Sequence, residues 1–186
     1  MGGKYHADDN SVFRVKQVLT QLGVSVSHPL AGEIKASNVN HAFAFDPATQ
    51  SFSDVERHYY ECIRMCDFHI VCNQFKENIG YLGDSASLEV AYAMCYGRPI
   101  VVLHPVPITA TVDSRVRSFL LSRLHHLTTY DCLRATPAQS RRFLTSLQTK
   151  CVDYGVTEEE QNAIENQVRT LLDGLSTETV DAAAHV

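Results

Sequence analysis

Tryptophan is absent from the 186 residues, and glycine (9) and proline (6) are sparse. Collagen-like, low-complexity and linker-dominated architectures are therefore excluded. No apolar run approaches the roughly 18 residues that a membrane span needs. The opening MGGKYHADDN lacks the apolar core of a signal peptide. A cytoplasmic chain with no membrane partner is expected. Basic residues are also in deficit: Lys plus Arg is 16 against 21 for Asp plus Glu, a net charge of −5. With no basic stripe to neutralise phosphates, no nucleic-acid partner is expected. No CxxC pair occurs, and the six cysteines (62, 66, 72, 95, 132, 151) are dispersed through apparent helices and strands. Cys62 and Cys66 would share a helix face but lack spaced histidine partners, so no metal site is expected. In a reducing compartment such cysteines behave as small buried hydrophobes. Hydrophobic residues at 45% and charged residues at 20% are those of an ordinary globular chain. This length can bury a core without disulfides or metal.

Residues 10–23 carry Val12, Val15, Leu19 and Leu22 at helical spacing, and Gly23 stops the helix. VSVSHP (24–29) reads as a short strand, and 30–51 as a long loop punctuated by Gly32, Asn38, Asn40 and Pro47. Ser53 and Glu56 form the S-x-x-E capping box of a second helix. DFHIVCN (67–73) reads as a strand and 74–83 as a polar loop. A helix over about 84–96 ends at Gly97 and Pro99. IVVLHP (100–105) has the near-continuous apolarity of a strand buried on both faces. A helix over 113–125 and an edge strand at 127–131 follow. Pro137 opens a helix to about 152. Thr157 and Glu160 make a second capping box ahead of the last helix. The expected units are an α/β domain over 1–131, packed C-terminal helices over 132–175 and a disordered tail over 176–186. Alternating strands and helices specify a mostly parallel sheet with helices on both sides, a flavodoxin- or Rossmann-like three-layer sandwich. The chain opens at Gly2-Gly3, where the carboxyl end of a first strand should lie, so that strand is expected to be missing or outside the chain.

In open α/β sheets ligands bind beyond the carboxyl ends of the strands. Three segments are expected to meet there: Gly2-Gly3-Lys4-Tyr5-His6, the strand opened by Asp67 with the loop after it, and Gly83-Asp84-Ser85-Ala86-Ser87-Leu88-Glu89. The helix start in the third segment offers free amides and a positive dipole end to an anion. Asp84 or Ser85 can equally serve as its cap. Glu89 stands in the second turn of a helix that is apolar on most of its circumference, where a carboxylate is costly unless it has a task.

From Asp67 to Leu103, the opening Asp, the strand and loop, GDSASLEVAYA and then GRPIVVL resemble the nucleoside 2-deoxyribosyltransferase superfamily. That superfamily includes the 2′-deoxynucleoside 5′-monophosphate N-glycosidases. The resemblance is strongest over 67–104, looser over 2–66 and absent from 132 onward. It implies that Glu89 is the nucleophile that attacks the anomeric carbon and that Asp67 positions substrate and shuttles a proton to the base. It also implies that Gly2, Gly3, Tyr5, Gly83, Asp84 and Ser85 line the sugar and its 5′ group, with no cofactor. An Asp alone at the strand start would bond loop amides. The chain carries both Asp84 and Ser85, which leaves open a 5′-hydroxyl or a 5′-phosphate donor, and transferase or hydrolase. A small-molecule nucleoside or nucleotide is the implied partner. A homo-oligomer is expected, from the resemblance and from helices around Tyr59–Met65 and Tyr92–Tyr96 that are apolar on more than one face. A non-catalytic nucleotide-sensing domain of the same shape is the alternative, and an NAD-cleaving relative a third reading.

Overall fold

The computed structural model describes residues 2–3, 11–27, 33–37, 42–45, 52–75, 78–107 and 115–183. The elements run β1 (Gly2–Gly3), α1 (Ser11–Gln21), β2 (Glu33–Ser37), β3 (Ala42–Phe45), α2 (Phe52–Met65), β4 (His69–Cys72), β5 (Gln74–Phe75) and β6 (Asn78–Ile79). Then come α3 (Asp84–Cys95), β7 (Ile100–Val102), α4 (Arg115–Arg123), a 3₁₀ turn at Leu124–His126, β8 (Thr128–Thr129), α5 (Pro137–Gln148) and α6 (Glu158–Ala183). The fold is mixed α/β. Its main sheet has four strands in the order β1-β4-β7-β8, and every neighbouring pair is parallel.

A first strand is present after all, as a two-residue edge. Gly2 pairs with Val71 and Gly3 with Cys72. The strand expected at 24–29 is not formed over Val24–Ser27, and 28–29 lie outside the described residues. Val24 and Val26 are half-buried against the α1 and α5 cluster, so their alternation reflects packing rather than a ladder. The stretch read as a loop over 30–51 holds the antiparallel hairpin of β2 and β3. A second small hairpin, β5 with β6, stands in the 74–83 loop.

Alternation along β4 divides the core. Ile70 and Cys72 join Val12, Val15, Leu19, Leu144 and Leu147 of α1 and α5 on one face. Val71 joins residues of α2, α3, α4 and α6 on the other. Residues 132–175 thus supply cover to both faces. The last helix runs on to Ala183, where a tail was expected from Ser176.

Several helix ends follow the sequence rules. Gly23 (φ 82°) and Gly97 (φ 61°) take the left-handed residue after α1 and α3. The bonds Val24 N to Leu19 O and Arg98 N to Ala93 O complete Schellman closures. Thr136 caps α5 through a box with Gln139. Thr157 and Glu160 exchange their bonds at the start of α6. The Ser53 box differs: α2 already begins at Phe52, so Ser53 lies in its first turn.

α3 is apolar all round because both its sides are covered. One side meets the sheet. The other meets α6, where the Tyr96 hydroxyl donates to Glu165 Oε1 at 2.8 Å and Ile164, Val168 and Leu172 are buried in the same cluster. The apolar excess on α2 and α3 therefore has an occupant within the chain, and it no longer argues for an oligomer.

Arg123 ties α4 to the entry of α6. Its guanidinium donates to the Tyr154 carbonyl at 3.0 Å and to both Glu160 carboxylate oxygens at 2.9 and 2.8 Å. It also lies 4.1 Å from the centre of the Phe119 ring. Partly buried charge-assisted bonds of this kind exceed ordinary surface pairs in strength. Arg123→Ala is expected to lower unfolding free energy by about 2 kcal/mol, and Arg123→Lys to recover less than half of it. Urea denaturation measures both; equal stability of Arg123→Ala and the parent would refute this clamp.

Candidate functional site

The loop that leaves the carboxyl end of β4 returns as α3. Gly83 takes the cap position (φ −72°, ψ 175°) and contributes no side-chain bond. The capping role considered for Asp84 and Ser85 is therefore not used. Both stand exposed on the first turn, and Asp84 pairs with Arg117 Nη2 at 3.0 Å. Among the described residues no side chain caps the amides of this turn. The Tyr81 ring lies against Gly83, where an added Cβ would come within 3.3 Å of it.

Glu89 is buried at 8% exposure, deeper than the pocket mouth expected for it. It points from α3 towards β4, where its Oε2 stands 3.9 Å from His69 Nε2. His69 is 1% exposed. Neither of these two atoms has a hydrogen-bond partner among the described residues. Burial, and secondarily the charge of Glu56, raise the Glu89 carboxyl from 4.5 to about 8, while the amino-terminal charge and a hydrogen bond from Tyr59 oppose the shift. Burial drives His69 well below its ordinary value. Around neutral pH the pair is thus a carboxylic acid facing a neutral imidazole. Tyr60 is buried alongside, and the Glu89 and Glu56 charges add to the burial that raises its phenol.

Asp67 does not join this group. It is exposed and precedes β4, at the strand end opposite to the α3 loop. It lines a cavity of about 470 Å³ with Val24, Val26, Cys62, Ile63 and Cys66. Neither Glu89 nor Ser85 lines that cavity, although His69 and Tyr59 reach it from the Glu89 side. The expected convergence of Asp67, Ser85 and Glu89 on one sugar-sized space is not found there. The carboxyl end of β4 is marked instead by Asn73, which is buried and bridges the backbone of His104, donating to its carbonyl at 2.6 Å and accepting from its N–H at 3.0 Å.

Gly2 and Gly3 lie beside β4, so the chain leaves them at the carboxyl edge of the sheet. Tyr5, with Lys4 and His6, lies outside the described residues. His58 stands exposed, 3.6 Å from Cys62 Sγ. No cluster of three or more potential metal ligands occurs among the described residues. All six cysteines are free. No helix is long and apolar enough to cross a membrane, among the described residues.

His69, Tyr59 and Tyr60 were not singled out in the sequence. The available signal was parity: His69 shares a face with Val71, the face that α3 covers.

No protein-family model matches the chain, and neither the curated proteins nor the solved structures include a significant match.

Proposed function

We propose that the chain cleaves or transfers the N-glycosidic bond of a deoxynucleoside or its 5′-monophosphate through a glycosyl ester on Glu89. The parallel sheet with helices on both faces would then be a compact flavodoxin-like sandwich. One observation carries the reading: a buried carboxyl group with an unpartnered oxygen, one turn below the uncapped start of α3. A buried carboxyl oxygen without a partner costs stability, so a fold that retains one has a use for it. A carboxylate there would face the cationic character that builds at an anomeric carbon as the base departs. The exposed first turn supplies amides and Ser85 for the 5′ group. The resemblance over 67–104 supports the same chemistry. Asp67 takes no part in this version, since it lies at the wrong end of β4.

The separation of Asp67 from Glu89 favours one second reading, a nucleotide-binding domain without turnover. Incubation with deoxynucleosides and their 5′-monophosphates, with free base measured by chromatography, tests the choice. Base release supports the enzyme; tight binding with no release over days would replace it with the binding domain. Ser85→Ala is expected to raise KM for a 5′-monophosphate about tenfold, the worth of one charge-assisted bond, and to leave the nucleoside unchanged. Equal effects on both donors would remove Ser85 from the 5′ site.

A further inference from the structure

At the His69–Glu89 contact two buried ionisable groups face each other, and neither His69 Nε2 nor Glu89 Oε2 has a hydrogen-bond partner among the described residues. The surrounding elements offer few alternatives. From α2 come Glu56, Tyr59 and Tyr60, and from α3 itself Tyr92, whose ring centre is 5.1 Å from that of Tyr60. β1 and β7 contribute only glycine and aliphatic residues. No lysine or arginine among the described residues pairs with either group; the positive charge of the amino terminus acts on both, lowering the titration of each. A carboxylic acid cannot attack an anomeric carbon, so a proton must leave Glu89 first, and His69 Nε2, 3.9 Å from Oε2, is a base placed to receive it.

We propose that His69 is the acceptor that takes the proton of Glu89 Oε2 before Glu89 attacks the sugar. The inference rests on the N-glycosidic reading above. The O–H electron pair stays on Glu89, and the proton joins the lone pair of His69 Nε2. The carboxylate oxygen then forms a bond to the anomeric carbon while the C–N electron pair departs with the base. The base anion regains a proton as the imidazolium returns to imidazole, directly or through water. The net products are a glycosyl ester and a neutral base. Water then adds to the ester, giving free sugar and the original carboxylic acid. The 3.9 Å separation exceeds a hydrogen bond, and such contacts commonly tighten when substrate fills the site. The transfer also converts two neutral buried groups into a mutually stabilising ion pair, which keeps it reversible until substrate arrives.

His69 acts through Glu89, so its test must separate chemistry from packing. Release of base from 2′-deoxyadenosine, 2′-deoxycytidine and their 5′-monophosphates would be followed from about pH 5 to pH 10 for the parent, His69→Gln and Glu89→Gln. His69→Gln is expected to lose about 10²-fold near neutral pH and to regain most of it by about pH 9–10, where solvent removes the Glu89 proton unaided. A loss that is uniform across pH, or no loss, overturns the proton-acceptor role. If Glu89→Gln stays inactive in that case, the functional reading survives. An active Glu89→Gln sinks both. Should His69→Gln fail to fold, ¹⁵N NMR of the parent decides without substrate. His69, assigned by its shift in Glu89→Gln, must rest with Nε2 unprotonated and the proton on Nδ1; an Nε2–H tautomer overturns the proposal.

Discussion

Glu89→Gln is expected to lower base release by about 10³-fold or more, because the amide keeps size and shape but cannot form the ester. The fold should tolerate the change. The folded carboxyl titrates at about 8 against 4.5 unfolded. Between those values the native state holds a proton that the unfolded state has lost. Stability therefore falls as pH rises from 4.5 and levels off above about 8, at up to roughly 1.4 kcal/mol per pH unit. Gln titrates nowhere in that window, so Glu89→Gln should gain on the parent as pH increases and match its pH slope below about 4. His69 works in the opposite sense. It is held neutral by burial, so its penalty appears as pH falls below 6.5 and is absent above. Thermal melts at a series of pH values, beside the chromatographic assay, check both halves. Near-normal turnover in Glu89→Gln would end the covalent mechanism.

Gly80→Ala is expected to cost about 3 kcal/mol or more. Gly80 holds φ +81°, a left-handed conformation that side chains resist. An added Cβ would drive into the Pro105 carbonyl oxygen and lie 2.9 Å from Pro107 Cδ. Backbone cannot step aside as a flexible side chain can. Gly23→Ala is the matched control. It shares the conformation (φ +82°), yet nothing lies within 4 Å of its Cβ, so only strain of about 1 kcal/mol applies. Urea unfolding compares the two; equal costs would show that close approach contributes nothing at Gly80. The Gly80 N–H donates to the Asn73 carbonyl at 2.8 Å, which anchors the segment that leads into α3. Base release should therefore suffer in the same variant.

Helices were legible where the local chemistry was complete. Gly23, Gly97, Pro137 and the Thr157–Glu160 box each combine a periodic apolar face with a terminus that satisfies its own backbone groups. The short hairpins were not legible. A two-residue strand such as Gln74–Phe75 carries no period, and its pairing is decided by what lies opposite. Val24–Ser27 had the period but join no ladder among the described residues. Glu89 could be found because a carboxylate among Leu88, Val90, Ala91 and Ala93 contradicts its setting. His69 could not, since histidine within a strand is read as tolerated polarity until α3 is laid over it. The role of Asp67 came from the resemblance. A residue that opens a strand stands at its amino end, and the rule that ligands sit at carboxyl ends argued against it.

The cover that α6 lays over α3 also has an order in time. Tyr96 meets Glu165 across 69 positions of chain. During synthesis α2, α3 and the strands between them emerge well before residue 158. The outer face of α3 then stays wet until the final helix arrives, since non-local contacts are rewarded only after the intervening chain is closed. The nascent protein must pass through a stage in which its most apolar helix is shielded on one side only, a stage prone to association with other chains or with chaperones. α6 thus completes the shielding of α3, although among the described residues it supplies none of the groups named around Glu89.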